Sequence, residues 1–203
     1  MKRIQILVLL IPIVLCLSFA SGSLLNKPVP LLPYKTLEGK SIDKNFYTGH
    51  VSLMSFMFIG CMPCMNEIST LNKLQAEYKS NPNFQIVCVA RQMRGQMMDF
   101  NSNNNSILSK VRKAFHADSI EYSIQPSCPD ASSKATGYNG NIELKSECNS
   151  IEDTYGIISF PTMLYIDKKG IVRKLEQGGP GKPNDPEFYS RVKANIDSLL
   201  QEP

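Results

Sequence analysis

Two cysteines three positions apart, Cys61 and Cys64, are the residues of this chain best suited to chemistry. An apolar run from Leu53 to Ile59 precedes them, long enough for a buried strand and too short to cross a membrane. A helical pattern follows them, so Cys61 is expected at a helix N-terminus. There the unpaired backbone N–H groups and the helix dipole stabilise a thiolate, the reactive species in disulfide exchange. Cys64, one turn later, would be the resolving partner.

A structural zinc site is the main alternative use of a C-x-x-C pair. Such a site takes four ligands, commonly a second C-x-x-C or two histidines about a turn apart. The chain has two histidines, His50 and His116, and Cys128 and Cys148 are twenty positions apart. The spacing therefore favours a redox pair over zinc and over inert thiols, and we expect neither a metal nor a cofactor.

The N-terminus has the pattern of a secretory signal peptide. Two basic residues precede an apolar run from Ile4 to Leu17, and small residues offer cleavage sites after Ala20 or Gly22. We therefore expect residues 1–22 to be a signal peptide and residues 23–203 to be one exported, periplasmic domain.

Two other interpretations of this N-terminus stay open. An uncleaved membrane anchor is one, although the apolar run is shorter than the roughly 20 residues that a spanning helix needs. A lipoprotein is the other, because Cys16 could carry a lipid. However, Leu15 stands where a lipid-attachment motif normally has a small residue.

Export affects the interpretation of the remaining cysteines, because disulfides persist in an oxidising compartment. Cys88 lies in the apolar run from Phe84 to Ala90, which predicts a second buried strand, so we expect it to be a small core residue. Cys128 and Cys148 flank a segment rich in Ser, Gly, Asn and Lys. We expect a structural disulfide to close this insertion, at about residues 128–148, and to stabilise the domain by about 3 kcal/mol.

The order of elements favours an α/β fold. A hairpin is predicted around Glu38–Lys40, and a second joins Met163–Asp167 to Ile171–Glu176, with Gly170 supplying a positive φ angle. Asp185 is expected to cap a last helix. Together with the strand, C-x-x-C and helix unit, these elements predict helices packed on a mixed sheet. The buried stripe of the last helix is predicted to be Phe188, Val192, Ile196 and Leu199.

With these elements in place, the chain resembles the exported thioredoxin-fold proteins of the TlpA/ResA type. The resemblance covers about Pro28 to Leu200. It implies a thioredoxin-like mixed sheet flanked by helices, with an N-terminal β-hairpin and the cysteine-flanked insertion as an addition. The matching pieces are the Glu38–Lys40 turn, the C-x-x-C pair with Glu67 three residues on, the Phe160, Pro161, Thr162 segment, and the turn at Asp167–Gly170.

The resemblance also implies where a substrate binds. In that family, the proline that corresponds to Pro161 is cis and lies against the cysteine pair, where neighbouring backbone pairs with a substrate peptide. Phe160, Met62 and Pro63 are then expected to contact the substrate. Gly60 would too, but it stands where the family usually has tryptophan, so an apolar contact surface is lost.

Two further departures concern proton transfer. Thioredoxin has a buried aspartate six residues before its first cysteine, and this chain has Ser55 there. The glutamate that ResA-like proteins have in the loop after the second strand is also absent. Transfer to or from Cys64 therefore lacks its usual base. Glu67 is a candidate catalytic residue, and its alternative is a solvated charge on the helix surface.

The leading functional interpretation is a thiol–disulfide oxidoreductase in which Cys61 attacks a client disulfide and Cys64 resolves the mixed disulfide. Pro63 before the second cysteine resembles thioredoxin and favours reduction. The expected partners are client proteins with disulfides or thiols, apocytochrome c among them, and an upstream thiol–disulfide donor. A membrane is a partner only if the N-terminal segment is retained or lipidated. No basic stripe indicates nucleic acid.

Two alternative functions use the same fold. A thiol peroxidase would have threonine three residues before its reactive cysteine, where this chain has Phe58. A Cu(I)-binding chaperone could use Cys61, Cys64 and nearby methionines. The related copper carriers, however, have three residues between their cysteines and a later histidine, and His116 is not clearly placed for that role. The methionines around the motif are Met54, Met57, Met62, Met65, Met93, Met97 and Met98.

Overall fold

The computed structural model describes residues 24–31, 36, 39–58, 61–91, 123–126 and 154–203. Several predicted features lie outside these ranges. They are the signal peptide at residues 1–22, Gly60, and the cysteine-flanked insertion with Cys128 and Cys148.

The described residues form a thioredoxin-like arrangement of a mixed sheet and helices, as predicted. The sheet has five strands in the order β3-β2-β1-β4-β5. Strands β1, β2 and β3 are parallel, while β4 is antiparallel to both β1 and β5. In chain order the elements are α1 (Lys44–Tyr47), β1 (Val51–Phe58), α2 (Met62–Glu77), β2 (Phe84–Arg91), β3 (Ser123–Pro126), β4 (Thr162–Ile166), β5 (Val172–Gln177) and α3 (Pro186–Gln201).

Strand β1 is buried on both faces because it lies at the centre of the sheet. Successive side chains of a strand point to opposite faces. Leu53 and Met57 therefore pack with α2 and α3 in one core cluster, whereas Met54 and Phe56 pack with Tyr47 in a second cluster on the other face. Such two-sided burial explains why the strand appears in the sequence as an almost continuous apolar run.

Helix α3 begins where the sequence predicted. The Asp185 side chain accepts hydrogen bonds from the backbone N–H groups of Glu187 and Phe188, at 3.0 and 3.2 Å, which satisfies donors that a helix start leaves unpaired. The predicted stripe on this helix is confirmed, because Phe188, Val192, Ile196 and Leu199 are its buried residues.

The predicted turn between β4 and β5 is present, whereas the predicted turn at Glu38–Lys40 is described only in part, because Glu38 lies outside the described residues. Gly170 has φ 76° in the β4–β5 turn, and Asp167 Oδ1 accepts from the N–H groups of Lys169 and Ile171 at 2.9 Å each. Near the N-terminus, the Thr36 N–H donates to the Lys40 carbonyl at 2.8 Å. In the part of the chain that the structure describes, no helix is both long and apolar enough to cross a membrane.

Candidate active site

The cysteine pair lies at the N-terminus of α2, directly after the central strand. Cys61 is the N-cap residue, and its Sγ accepts a hydrogen bond from the Cys64 N–H at 3.2 Å. The two residues are joined by a disulfide with their Cα atoms 5.2 Å apart. Cys61 keeps 6 % of its surface exposed and Cys64 none, so an approaching molecule reaches Cys61 first. The two sulfurs therefore differ in how accessible they are to a second molecule.

Pro161 lies beside this motif across Gly179, a residue of the loop between β5 and α3. The Phe160–Pro161 bond is cis. A Cβ atom placed on Gly179 would be 2.7 Å from the Pro63 carbonyl oxygen and 2.8 Å from Pro161 Cγ. Both contacts are closer than real Cβ atoms tolerate. Only glycine therefore lets the loop pack between the two prolines.

Two side chains of α2 hold this loop against the start of the helix. Asn66 Nδ2 donates to the Pro180 carbonyl at 3.2 Å, and Ser69 Oγ accepts from the Asn184 N–H at 2.8 Å. The Gly178 N–H also donates to the Pro161 carbonyl at 2.9 Å. The loop, the Pro161 segment and the cysteine turn are thus fixed to one another by backbone and side-chain contacts.

Glu67 is fully buried, so the alternative of a solvated helix charge is wrong. It lies one turn after Cys64 on α2, and positions three apart on a helix share a face. Ser55 Oγ donates to Glu67 Oε1 at 2.9 Å, while Oε2 has no hydrogen-bond partner among the described residues. The helix thus brings a carboxyl group to the place where Ser55 replaces the aspartate of thioredoxin.

Burial governs the protonation of this carboxyl group. Loss of solvent raises the pKa of Glu67 to about 8, although the hydrogen bond from Ser55 acts in the opposite direction. The negative charge of Glu176 raises this pKa further. At neutral pH the group is mostly protonated, and it can exchange a proton near physiological pH.

The structure brings most of the described site residues together at the start of α2. Cys61, Cys64, Pro63 and Pro161 come together, and Glu67 lies behind Cys64 on the same helix. Met62 is 68 % exposed next to Cys61. Phe160 is half-buried and packs against both core clusters.

Gly179 is the residue of this site that the sequence analysis missed. The one signal for it is the Gly178–Gly179–Pro180 run, which indicates a loop but not the residues against which that loop packs.

Of the methionines around the motif, Met57 and the partly buried Met65 pack in the same core cluster as Cys61 and Cys64. Met93, Met97 and Met98 lie outside the described residues. Met54 and Met57 are both buried, but they lie in the two core clusters on opposite faces of β1. Within the described ranges, no group of three or more His, Cys, Asp and Glu residues is arranged to hold a metal ion.

Comparison with known proteins gives a consistent result. The family model described as Redoxin matches residues 24–191. The thioredoxin-like protein YneN of Bacillus subtilis is 24% identical over 153 residues, which cover 75% of this chain and 71% of YneN.

Solved structures are similar in fold. The thioredoxin domain of a thiol-disulfide oxidoreductase from Bacteroides vulgatus superposes with a TM-score of 0.55 at 19% identity, covering 85% of this chain and 97% of that domain. A thiol:disulfide interchange protein from a Bacteroides species gives 0.54 at 18% identity, covering 87% and 93%. These findings confirm the predicted thioredoxin-like fold and the predicted resemblance to thioredoxin-like oxidoreductases.

Proposed function

Because this chain belongs to the Redoxin family, we propose that it is an exported thiol–disulfide oxidoreductase that reduces disulfides of client proteins. One observation carries the proposal: Cys61 caps α2 and keeps 6 % of its surface exposed, while Cys64, one turn into the helix, has none. A redox pair needs this asymmetry, because one sulfur must meet the client and the other must wait until the mixed disulfide has formed.

The first step uses the reduced protein. The Cys61 thiolate attacks one sulfur of a client disulfide, forms a mixed disulfide, and releases the other client sulfur as a thiolate, which takes up a proton from water. The Cys64 N–H, which donates to Cys61 Sγ, and the helix N-terminus favour the negative charge on Cys61 before attack. Met62 and Phe160 flank the approach as apolar contacts for the client.

The second step regenerates the internal disulfide and requires a proton acceptor. The Cys64 thiol gives its proton to the Glu67 carboxylate, and the Cys64 thiolate attacks Cys61 Sγ. The Cys61–Cys64 bond forms, the mixed disulfide breaks, and the second client sulfur leaves as a thiolate. This completes the two-electron reduction of the client disulfide. Glu67 is then protonated, in agreement with a pKa of about 8 in the disulfide form.

An upstream thiol–disulfide donor must return the two electrons. When that donor opens the Cys61–Cys64 bond, Cys64 leaves as a thiolate in a buried site, where a charge without a partner is costly. Protonated Glu67 can deliver the proton that neutralises it. The same carboxyl group thus acts as a base in one direction and as an acid in the other.

The proposed cellular compartment rests on the N-terminal sequence and on the family resemblance. A signal peptide at residues 1–22 would place the domain in the periplasm. There the clients would be exported proteins with accessible disulfides or thiols, and apocytochrome c is one candidate.

Reduction of insulin by a dithiol donor tests the proposed activity. We expect the wild-type protein to accelerate it, and we expect Cys61→Ala and Cys64→Ala to abolish the acceleration. Cys88→Ala is the matched control, because Cys88 is buried in the core on β2. If Cys61→Ala keeps wild-type turnover, the proposed function is wrong.

A further inference from the structure

A charged group lies at the β5 edge of the sheet, on the same side as the cysteine pair. Glu176 on β5 accepts a hydrogen bond from the Tyr165 hydroxyl at 3.1 Å and from Arg191 Nε on α3 at 2.7 Å. Lys174 Nζ is 3.5 Å from the same carboxylate. The Glu176 side chain is 14 % exposed, so the carboxylate is largely enclosed by these partners.

The strand register places Glu176 on the face of the sheet that Glu67 packs against. Ser55 on β1 is paired with Met163 on β4, and Met163 is paired with Glu176 on β5. Paired residues on adjacent strands project from the same face. The Ser55 hydroxyl reaches Glu67 on that face, so Glu176 lies two strands away from Ser55 along one row.

The groups that face Glu67 differ in charge. Ser55 and Cys88, which are paired across β1 and β2, are neutral, and so is Tyr165 on β4. The α3 residues packed in this cluster, Phe188, Val192, Ile196 and Leu199, are apolar. Within the described part of the chain, the charged group that acts on this buried carboxyl group is Glu176, which raises the pKa of Glu67.

The cations that balance Glu176 lie further out. The side chains of Arg191 and Lys174 are 51 % and 42 % exposed, compared with 14 % for Glu176. Water screens exposed charges more strongly than enclosed ones. Glu67 therefore interacts more strongly with the negative charge of Glu176 than with the positive charges of Arg191 and Lys174.

Building on the proposed role of Glu67, we propose that Glu176 is a positioning residue that sets the pH range in which Glu67 gains and loses its proton, with Arg191 moderating the effect. Glu176 does not touch the reacting sulfurs. Its carboxylate makes ionisation of Glu67 harder and so keeps a proton available behind Cys64. Arg191 reduces this influence by holding the Glu176 carboxylate with a charged hydrogen bond.

The proposal predicts shifts of opposite sign for two neutralising variants. Glu176→Gln removes the negative charge but keeps a similar shape, so Glu67 should ionise at lower pH, by roughly half to one unit. Arg191→Met removes the compensating cation, so Glu67 should ionise at higher pH. A merely structural disturbance would not produce opposite shifts, because both variants loosen the same contact.

The titration of Glu67 can be measured directly by carboxyl ¹³C NMR on the oxidised, full-length protein. Absence of the Glu67 signal in Glu67→Gln identifies the resonance. Glu77→Gln is the matched control: this carboxylate is on the same helix ten residues away, at about 15 Å along the axis. We expect it to leave the Glu67 midpoint unchanged.

Opposite shifts in Glu176→Gln and Arg191→Met would support the proposal. An unchanged midpoint in Glu176→Gln, or shifts of the same sign in both variants, would overturn it. Insulin reduction by the same samples separates this result from the proposed function, because the NMR titration requires no turnover. Opposite shifts in a protein that does not reduce insulin would leave the electrostatic link intact and reject the enzymatic role.

Discussion

Ser55 on β1 donates a hydrogen bond of 2.9 Å to Glu67 on α2, and this contact joins the central strand to the helix that carries the cysteine pair. The strand provides a hydroxyl group where thioredoxin has a carboxylate, and the helix provides the carboxylate. A buried acid is therefore retained behind Cys64, although it is attached to a different element.

The buried carboxyl group should make stability depend on pH. The pKa of Glu67 is about 8 in the folded protein and near 4.5 when the chain is unfolded. Between these values the folded state binds the proton and the unfolded state does not. Glu67 therefore lowers the free energy of unfolding as pH rises, by about 1.4 kcal/mol per pH unit, with no further loss above pH 8.

The variant Glu67→Gln should lack this dependence. Urea unfolding of oxidised wild-type protein and of the variant, at intervals from pH 5 to pH 9, measures the difference. We expect the variant to gain stability relative to wild type from pH 5 to about pH 8 and to level off between pH 8 and pH 9. If unfolding free energy plotted against pH runs parallel for the two proteins, burial of an ionisable Glu67 is contradicted. The substituted amide changes stability by the same amount at every pH, so it offsets the curve without changing its slope.

Ser55→Ala should raise the pKa of Glu67 further, because the hydroxyl group stabilises the carboxylate. Hydrogen bonds to charged groups contribute about 1.5–3 kcal/mol, which corresponds to roughly one to two pH units. Carboxyl NMR or the pH profile of insulin reduction would detect the shift. Ser52→Ala is the control, since buried Ser52 on the same strand accepts from Gln85 at 2.9 Å instead. An equal shift in both variants would argue against a specific contact.

Gly179→Ala should impair exchange with protein clients, because the added Cβ would meet Pro63 and Pro161 at 2.7 and 2.8 Å. Relief of such contacts typically costs about 1–3 kcal/mol and would move the loop or the cysteine turn. Insulin reduction and thermal unfolding report the two effects. Gly181→Ala is the matched control, since a Cβ there meets nothing within 4 Å. Comparable behaviour of the two variants would reject the packing argument.

The bridge between Cys128 and Cys148 stays a prediction, because both residues lie outside the described ranges. Cys128 comes two residues after β3, but the Ser-, Gly- and Asn-rich sequence that follows it has no helical pattern like that after Cys61, so we expect a structural bond rather than a second redox pair. Peptide mapping of the oxidised protein without reduction should recover the two peptides linked. Recovery of both thiols in reduced form would show that the insertion is closed in another way.

The features that the sequence predicted correctly are encoded by neighbouring residues. The Asp185 cap and the apolar spacing of α3 are local signals, and so is the strand before Cys61. Strand β3 (Ser123–Pro126) was not predicted, because four residues that include a proline give almost no periodicity. Helix α1 was missed for the same reason of length.

The remaining features of the site depend on distant parts of the chain. Burial of Glu67 requires the sheet and α3 to cover one face of α2, and a single acidic residue in the sequence does not reveal this. Gly179 meets Pro63 only because the β5–α3 loop folds back onto α2. Sequence patterns describe positions along one element, whereas these contacts join elements more than a hundred residues apart.

Trapping of a mixed disulfide tests the central claim most directly. Cys64→Ala keeps the attacking thiol and removes the resolving one, so the variant, incubated with oxidised insulin, should accumulate a covalent adduct that dithiothreitol releases. Mass spectrometry should locate the bond at Cys61. Cys61→Ala, treated identically, should form at least tenfold less adduct, because Cys64 has no exposed surface. Equal adduct in the two variants, or a bond at a cysteine other than Cys61, would contradict the assignment of Cys61 as the sulfur that attacks the client.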